Sequence, residues 1–124
     1  MAYVDGFVLV VPQKNFAAYK KMAAAAGKIW RKHGALDYKE CAGDDVAPST
    51  GGAQAQTFPK MAKCKRGETV WFSFIVYKSR AHRDKVNKVV MKEFDKNYPE
   101  WKDKPMPFDM KRFAYGGFKV VVNA

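Results

Sequence analysis

The segment Glu68–Tyr77, ETVWFSFIVY, restricts the fold more than any other stretch of the chain. Successive side chains of a strand point to opposite faces. A sheet with one face in water therefore alternates apolar and polar residues. Here Val70, Trp71, Phe72, Phe74, Ile75, Val76 and Tyr77 put bulky apolar groups on both faces. Residues 3–11 do likewise through Phe7, Val8, Leu9, Val10 and Val11, and stop at Pro12. Two strands thus need cover on two sides.

The remaining segments supply too little of it. Phe16, Tyr19, Ala23, Ala26 and Trp30 recur at helical spacing within residues 13–33, and Gly34 is a helix stop. Residues 35–46 read as a second, less apolar strand near an edge. Residues 47–56, APSTGGAQAQ, read as a flexible loop, and 57–65 as a short extra strand. Ser79 can cap a second helix running to about residue 98, with Val86, Val89, Val90 and Phe94 inward. Pro99, Pro105 and Pro107 end it, and 111–122 form the last strand. The order βαββαβ is that of a single ferredoxin-like α+β domain over residues 1–124, an antiparallel sheet with two helices on one face. The uncovered face would be a large apolar patch, which monomers rarely tolerate. A homodimer packed sheet to sheet removes it.

Bulk properties narrow the function classes. The 124 residues include 23 basic and 12 acidic side chains, a net charge of +11, with +8 of it from Lys63 onward. Acids are interspersed with the bases, so no basic block forms, and specific nucleic-acid recognition is not expected. No run of about 18 apolar residues occurs that would cross a membrane. The N-terminus lacks the basic residues of a secretion signal, so a cytoplasmic chain is expected. Cys41 and Cys64 form no metal-ligand spacing and read as reduced thiols. With no zinc pattern, phosphate loop or nucleophile elbow, neither a metal nor a cofactor is expected. An RNA-recognition module shares this element order, but its diagnostic basic and aromatic run is missing.

Glycines then draw attention to the first and last strands, which are neighbours in such a sheet. VDGF places Gly6 in one and YGGF places Gly116 and Gly117 in the other. Small residues there bend the sheet or leave a hollow beside it. Asp5 lies near that hollow and needs a partner; Arg112, or backbone donors, is the expected one. Tyr3, Trp71, Phe74, Tyr77 and Tyr115 could wall a small-molecule pocket. His82, with Arg80, Arg83 and Asp84, forms the densest polar cluster, fit for an anion or for a helix start with ion pairs. His33 lies at a helix C-terminus, where the dipole favours a cation. Asp44 and Asp45 are adjacent and would point apart in a strand, a poor acid–base pair.

Several of these motifs occur together in one known family. YVDGFV, GALDYKEC, DDV, TVWFSFIVYKSRAHRDKVN and MPFD-KR--YGGF, spanning residues 3–118, resemble the YbaA-like family of small bacterial proteins, domain of unknown function 1428. The loop at 48–56, the segment KEFDKNYPEWKDK, and Met110 and Phe113 depart from its pattern. The resemblance implies membership of the dimeric α/β-barrel group, whose ferredoxin-like protomers pair through their sheets. That group includes cofactor-independent monooxygenases, isomerases and dehalogenase-like enzymes that use an internal cavity. Two functions follow as expectations. One is binding or transformation of a small apolar or aromatic molecule, with Asp5, Trp71, Phe74, Tyr77, His82, Arg112 and Tyr115 as site residues. The other is a non-catalytic interaction protein with a basic surface for a polyanion or RNA.

Overall fold

A computed structural model describes residues 2–47 and 55–124. The flexible loop expected at 47–56 lies mostly outside these residues. The elements are β1 (Tyr3–Pro12), α1 (Phe16–Lys32), β2 (Asp37–Ala42), the single turn α2 (Phe58–Met61), β3 (Glu68–Tyr77), α3 (Arg80–Asn97) and β4 (Ala114–Lys119). The four strands form one antiparallel sheet in the order β2-β3-β1-β4. This is the ferredoxin-like arrangement that the element order implies.

The ladder register sorts the side chains into two faces. One face carries the cross-strand rows Glu40–Ser73–Phe7–Tyr115 and Tyr38–Ile75–Asp5–Gly117. α1 and α3 pack on it, and Tyr3, Leu9, Val11, Trp71, Ile75 and Tyr77 are buried there with Ile29, Val86 and Val90. The opposite face carries Val4, Val8, Phe72, Phe74, Val76 and Phe118. α2 shields only one end of it, burying Val10 and Val70 against Ala62. Among the described residues no helix packs over the rest: Phe72 is 46% and Phe118 60% exposed, and Val4, Val8, Phe74 and Val76 are half-buried. The two-sided apolar pattern of β1 and β3 is therefore real, and the face opposite the helices is only partly covered by the described residues. No helix among the described residues is long and apolar enough to cross a membrane.

Four local expectations are corrected. Residues 57–65 contain a helical turn instead of a strand, because Thr57 Oγ1 accepts from the Lys60 amide at 3.3 Å and Pro59 suits a first turn. Val89 is 44% exposed, since the inward positions Val86 and Val90 are four apart and Val89 is rotated off their stripe. β2 ends at Ala42, so Asp44 and Asp45 follow the strand. β4 spans only Ala114–Lys119, because Asp109 caps a 3-10 turn at Met110–Arg112 just before it.

The glycines of β1 and β4 do mark a close approach, though not a hollow. A β-carbon on Gly117 would lie 2.6 Å from Cε2 of Tyr3, whose ring fills that place. On the opposite face the Phe118 ring lies over Gly6 and Gly116, at 3.4 and 3.8 Å from where their β-carbons would be. Gly117 is thus the position that cannot carry a side chain; Gly116 has ordinary room.

Candidate functional site

Between the helix-side face of the sheet and the segment following α3 lies a cavity of about 460 Å³. Its floor comes from the row Phe7–Ser73–Glu40 and from Ile75. Its walls come from Tyr19, Ala26 and Trp30 of α1 and Phe94 of α3. The chain after α3 closes over it: Tyr98 stacks on Trp101 at 4.2 Å, Trp101 meets Phe94 at 5.3 Å, and Phe108 meets Tyr19 at 5.6 Å. Pro99, Pro105 and Pro107 cannot continue a helix, so the chain beyond Asn97 folds across the mouth instead. The volume falls within the range of small-molecule sites, about 300–1,000 Å³.

Two polar groups interrupt this apolar lining, the Lys102–Asp95 ion pair and a centre around Glu40 at the floor. Tyr19 donates to Glu40 Oε1 at 2.8 Å and Tyr38 donates to Glu40 Oε2 at 2.6 Å; Ser73 Oγ also donates to Oε1. The sequence positions the group simply. Tyr38 and Glu40 are two apart in β2 and so share a face, and the register sets Glu40 opposite Ser73. Gly27 completes it, because a β-carbon there would lie 2.7 Å from the Tyr38 ring. A mid-helix glycine weakens a helix by roughly 1 kcal/mol relative to alanine, and here it makes room for Tyr38. Burial, reinforced by the adjacent Glu40 charge, pushes both phenols above their usual range, so Tyr19 and Tyr38 remain donors at neutral pH. Outside α1 a trough of about 680 Å³ also reaches Tyr38, Glu40 and Trp71, with Lys20 and Lys28 along it.

The residues expected to form a site do not converge on one. Asp5 is 4% exposed and pairs with Arg83 at 2.6 Å, with Asn87 at 3.5 Å. Asn87 Oδ1 in turn accepts from Trp30 at 2.9 Å and Tyr77 at 3.0 Å. Asp5 and Tyr77 thus belong to a buried polar network that ties α1, α3, β1 and β3 together. The expected partner Arg112 lies elsewhere. It binds both Glu68 oxygens at 2.7 Å and Asp109 at 2.7 Å, because the 3-10 turn before β4 directs it toward the start of β3. These bonds hold the Glu68 carboxyl down at about 2.

Phe74 cannot wall a cavity with Trp71, since it faces the opposite side of the sheet. Trp71 packs on Tyr19 at 4.8 Å and Phe16 at 5.4 Å, behind the cavity wall. Tyr115 is 73% exposed and stacks on Phe7 at 6.0 Å, outside it. His82 is engaged locally: its Nδ1 accepts from the Lys78 amide at 3.0 Å, and its own amide donates to Ser79 at 3.1 Å. The cluster around it is a helix start with ion pairs. His33 meets Glu93 of α3 at 2.7 Å. Among the described residues no group of three or more His, Cys, Asp or Glu side chains is placed to hold a metal ion.

Residues 2–110 match the family described as protein of unknown function (DUF1428). The uncharacterized protein YbaA of Escherichia coli strain K12 is 38% identical over 125 residues, covering 99% of each chain, and that of Shigella flexneri aligns equally well. Among solved structures, a dimeric ferredoxin-like protein from an uncultured marine organism superposes with a TM-score of 0.59 at 15% identity, covering 100% of both chains. That likeness bears on the fold alone. With a family match over most of its length and a relative aligned along nearly all of it, the chain belongs to DUF1428, the YbaA-like bacterial proteins of unknown function.

Proposed function

We propose that this protein is a homodimer that binds a small aromatic or largely apolar molecule in the cavity above Glu40. The observation that carries this reading is a single one: an aromatic-walled space of about 460 Å³ with one polar centre at its floor. Apolar walls supply affinity through burial, and a few placed polar groups orient the occupant. Three hydroxyls held in fixed directions around a carboxylate form such an orienting group. The homodimer is supported by the apolar sheet face opposite the helices, where Phe72 and Phe118 are exposed and Val4, Val8, Phe74 and Val76 half-buried, and by the dimeric description of the ferredoxin-like neighbour. The basic side chains are scattered over helices, strands and connecting segments, with Lys20, Lys28, Arg31 and Lys32 along the outer trough.

Ala26 is buried and lines the cavity, which allows a direct test by thermal melting with indole and naphthalene as probes. The normal protein should gain melting temperature with at least one probe, as ligands that bind only the folded state do. Ala26→Leu should fold with little loss, because the added carbons enter open space; a filled site would instead cost about 1–3 kcal/mol. The variant should lose the response to the probe. An undiminished response in Ala26→Leu, or none in the normal protein, would overturn the proposal.

A further inference from the structure

Among the described residues Glu40 has no counter-ion. Every other acidic side chain at least partly shielded from solvent carries a cationic partner: Asp5 has Arg83, Asp37 has Lys39, Glu68 and Asp109 share Arg112, and Glu93 has Lys32 and His33. Glu40 is shielded as they are, yet among the described residues no Lys, Arg or His forms an ion pair with it. In a chain with 23 basic residues this is a matter of placement and not of supply. Lys20, Lys28, Arg31 and Lys32 line the outer trough that Glu40 also lines, yet none forms an ion pair with it; Arg31 donates to the Ala35 carbonyl and Lys32 pairs with Glu93. Among the described residues the one cation lining the inner cavity is Lys102, which is tied to Asp95 at 2.9 Å.

Two features of the cavity complement that missing charge. A carboxylate offers about four acceptor positions, and the hydroxyls of Tyr19, Tyr38 and Ser73 fill three. At least one is left for a further donor. Trp30, Phe94, Trp101 and Phe108 line the same cavity, and aromatic faces attract cations, with Trp the strongest. A shielded anion is costly unless it is paired.

We infer that the ligand is an organic cation, a small amine or quaternary ammonium on a flat apolar body, whose charged nitrogen is directed at Glu40. This rests on the cavity reading above and adds the charge of the occupant. The ion pair forms partly out of water, where the Coulomb attraction exceeds its value in bulk solvent.

Matched probes separate charge from shape. Isothermal titration at neutral pH would compare phenethylamine with 2-phenylethanol, and tryptamine with tryptophol. In at least one pair the amine should bind about tenfold more tightly than its alcohol, a difference of about 1.4 kcal/mol. Glu40→Gln keeps one acceptor oxygen for the hydroxyls, turns the other position into an amide donor that a tyrosine hydroxyl can accept, and removes the charge; it should erase that preference. Equal or tighter binding of both alcohols would overturn the inference and leave the apolar cavity reading standing. An amine preference that survives Glu40→Gln would overturn the role of Glu40. Failure of all four probes, together with failure of indole and naphthalene, would overturn both. Should Glu40→Gln fail to fold, the amine and alcohol pairs on the normal protein still decide the question of charge.

Discussion

Arg83→Ala should lower folding stability by about 3 kcal/mol, the largest loss expected from a single polar substitution in this chain. Removing one partner of a buried ion pair typically costs about 3–5 kcal/mol, because the remaining charge is left uncompensated. The lower end applies because the Arg83 side chain keeps 19% exposure, whereas that of Asp5 keeps 6%. The substitution also removes the guanidinium that lies 5.0 Å from the centre of the Tyr3 ring. Urea unfolding followed by circular dichroism measures the effect. Arg112→Ala should cost less, since the carboxylates it would leave unpaired, Glu68 at 15% and Asp109 at 34% side-chain exposure, keep more contact with water than Asp5 at 6%. Its signature is pH dependence. Glu68 titrates near 4.5 without a partner and at about 2 in the fold. It therefore contributes stability above pH 4.5 that is lost as pH falls toward 2, and Arg112→Ala should flatten that acid slope. Equal losses for the two arginine variants at neutral pH would contradict the network described here.

The second large effect concerns the uncovered sheet face. At micromolar concentration, light scattering of the normal protein should give about twice the 14.1 kDa chain mass. Phe74→Asp places a charge at the middle of that face, between Gly6 and Lys39 in the ladder. In a dimer the charge would be taken out of water with only Lys39, already tied to Asp37, beside it, at a cost of up to several kcal/mol. The variant should fall to the monomer mass or lose its fold. A normal protein that runs as a stable monomer would remove the dimer from this account, whatever Phe74→Asp does.

Strand and helix placement was legible because the apolar periods are strong. The two-faced pattern of β3 announced an uncovered surface, and the structure leaves Phe72, Phe74 and Phe118 on it. The site was less legible, for reasons specific to each residue. Trp71 and Phe74 are three apart in one strand, so period two alone separates them onto opposite faces; the sequence held that information. Tyr38 and Glu40 were also within reach, as a phenol and a carboxylate two apart in a strand. Their convergence with Ser73 and Tyr19 was not, because it depends on the β2–β3 register across a long connection and on the path of α1. The partner of Asp5 was hidden in the same way. Arg83 is 78 residues distant and reaches Asp5 only because α3 packs across β1, while Arg112 is turned aside by a 3-10 turn with no apolar period to reveal it.

A bound ligand should lie between the helices and the sheet, above Glu40. Backbone amide shifts recorded during titration with indole locate it, because the two faces of the sheet report separately. Saturable shifts should concentrate at Tyr19, Tyr38, Glu40, Ser73 and Phe94, which surround the cavity. Val4, Phe74 and Phe118 on the opposite face should move little. Shifts confined to that opposite face, or shifts that never saturate at any residue, would contradict the account.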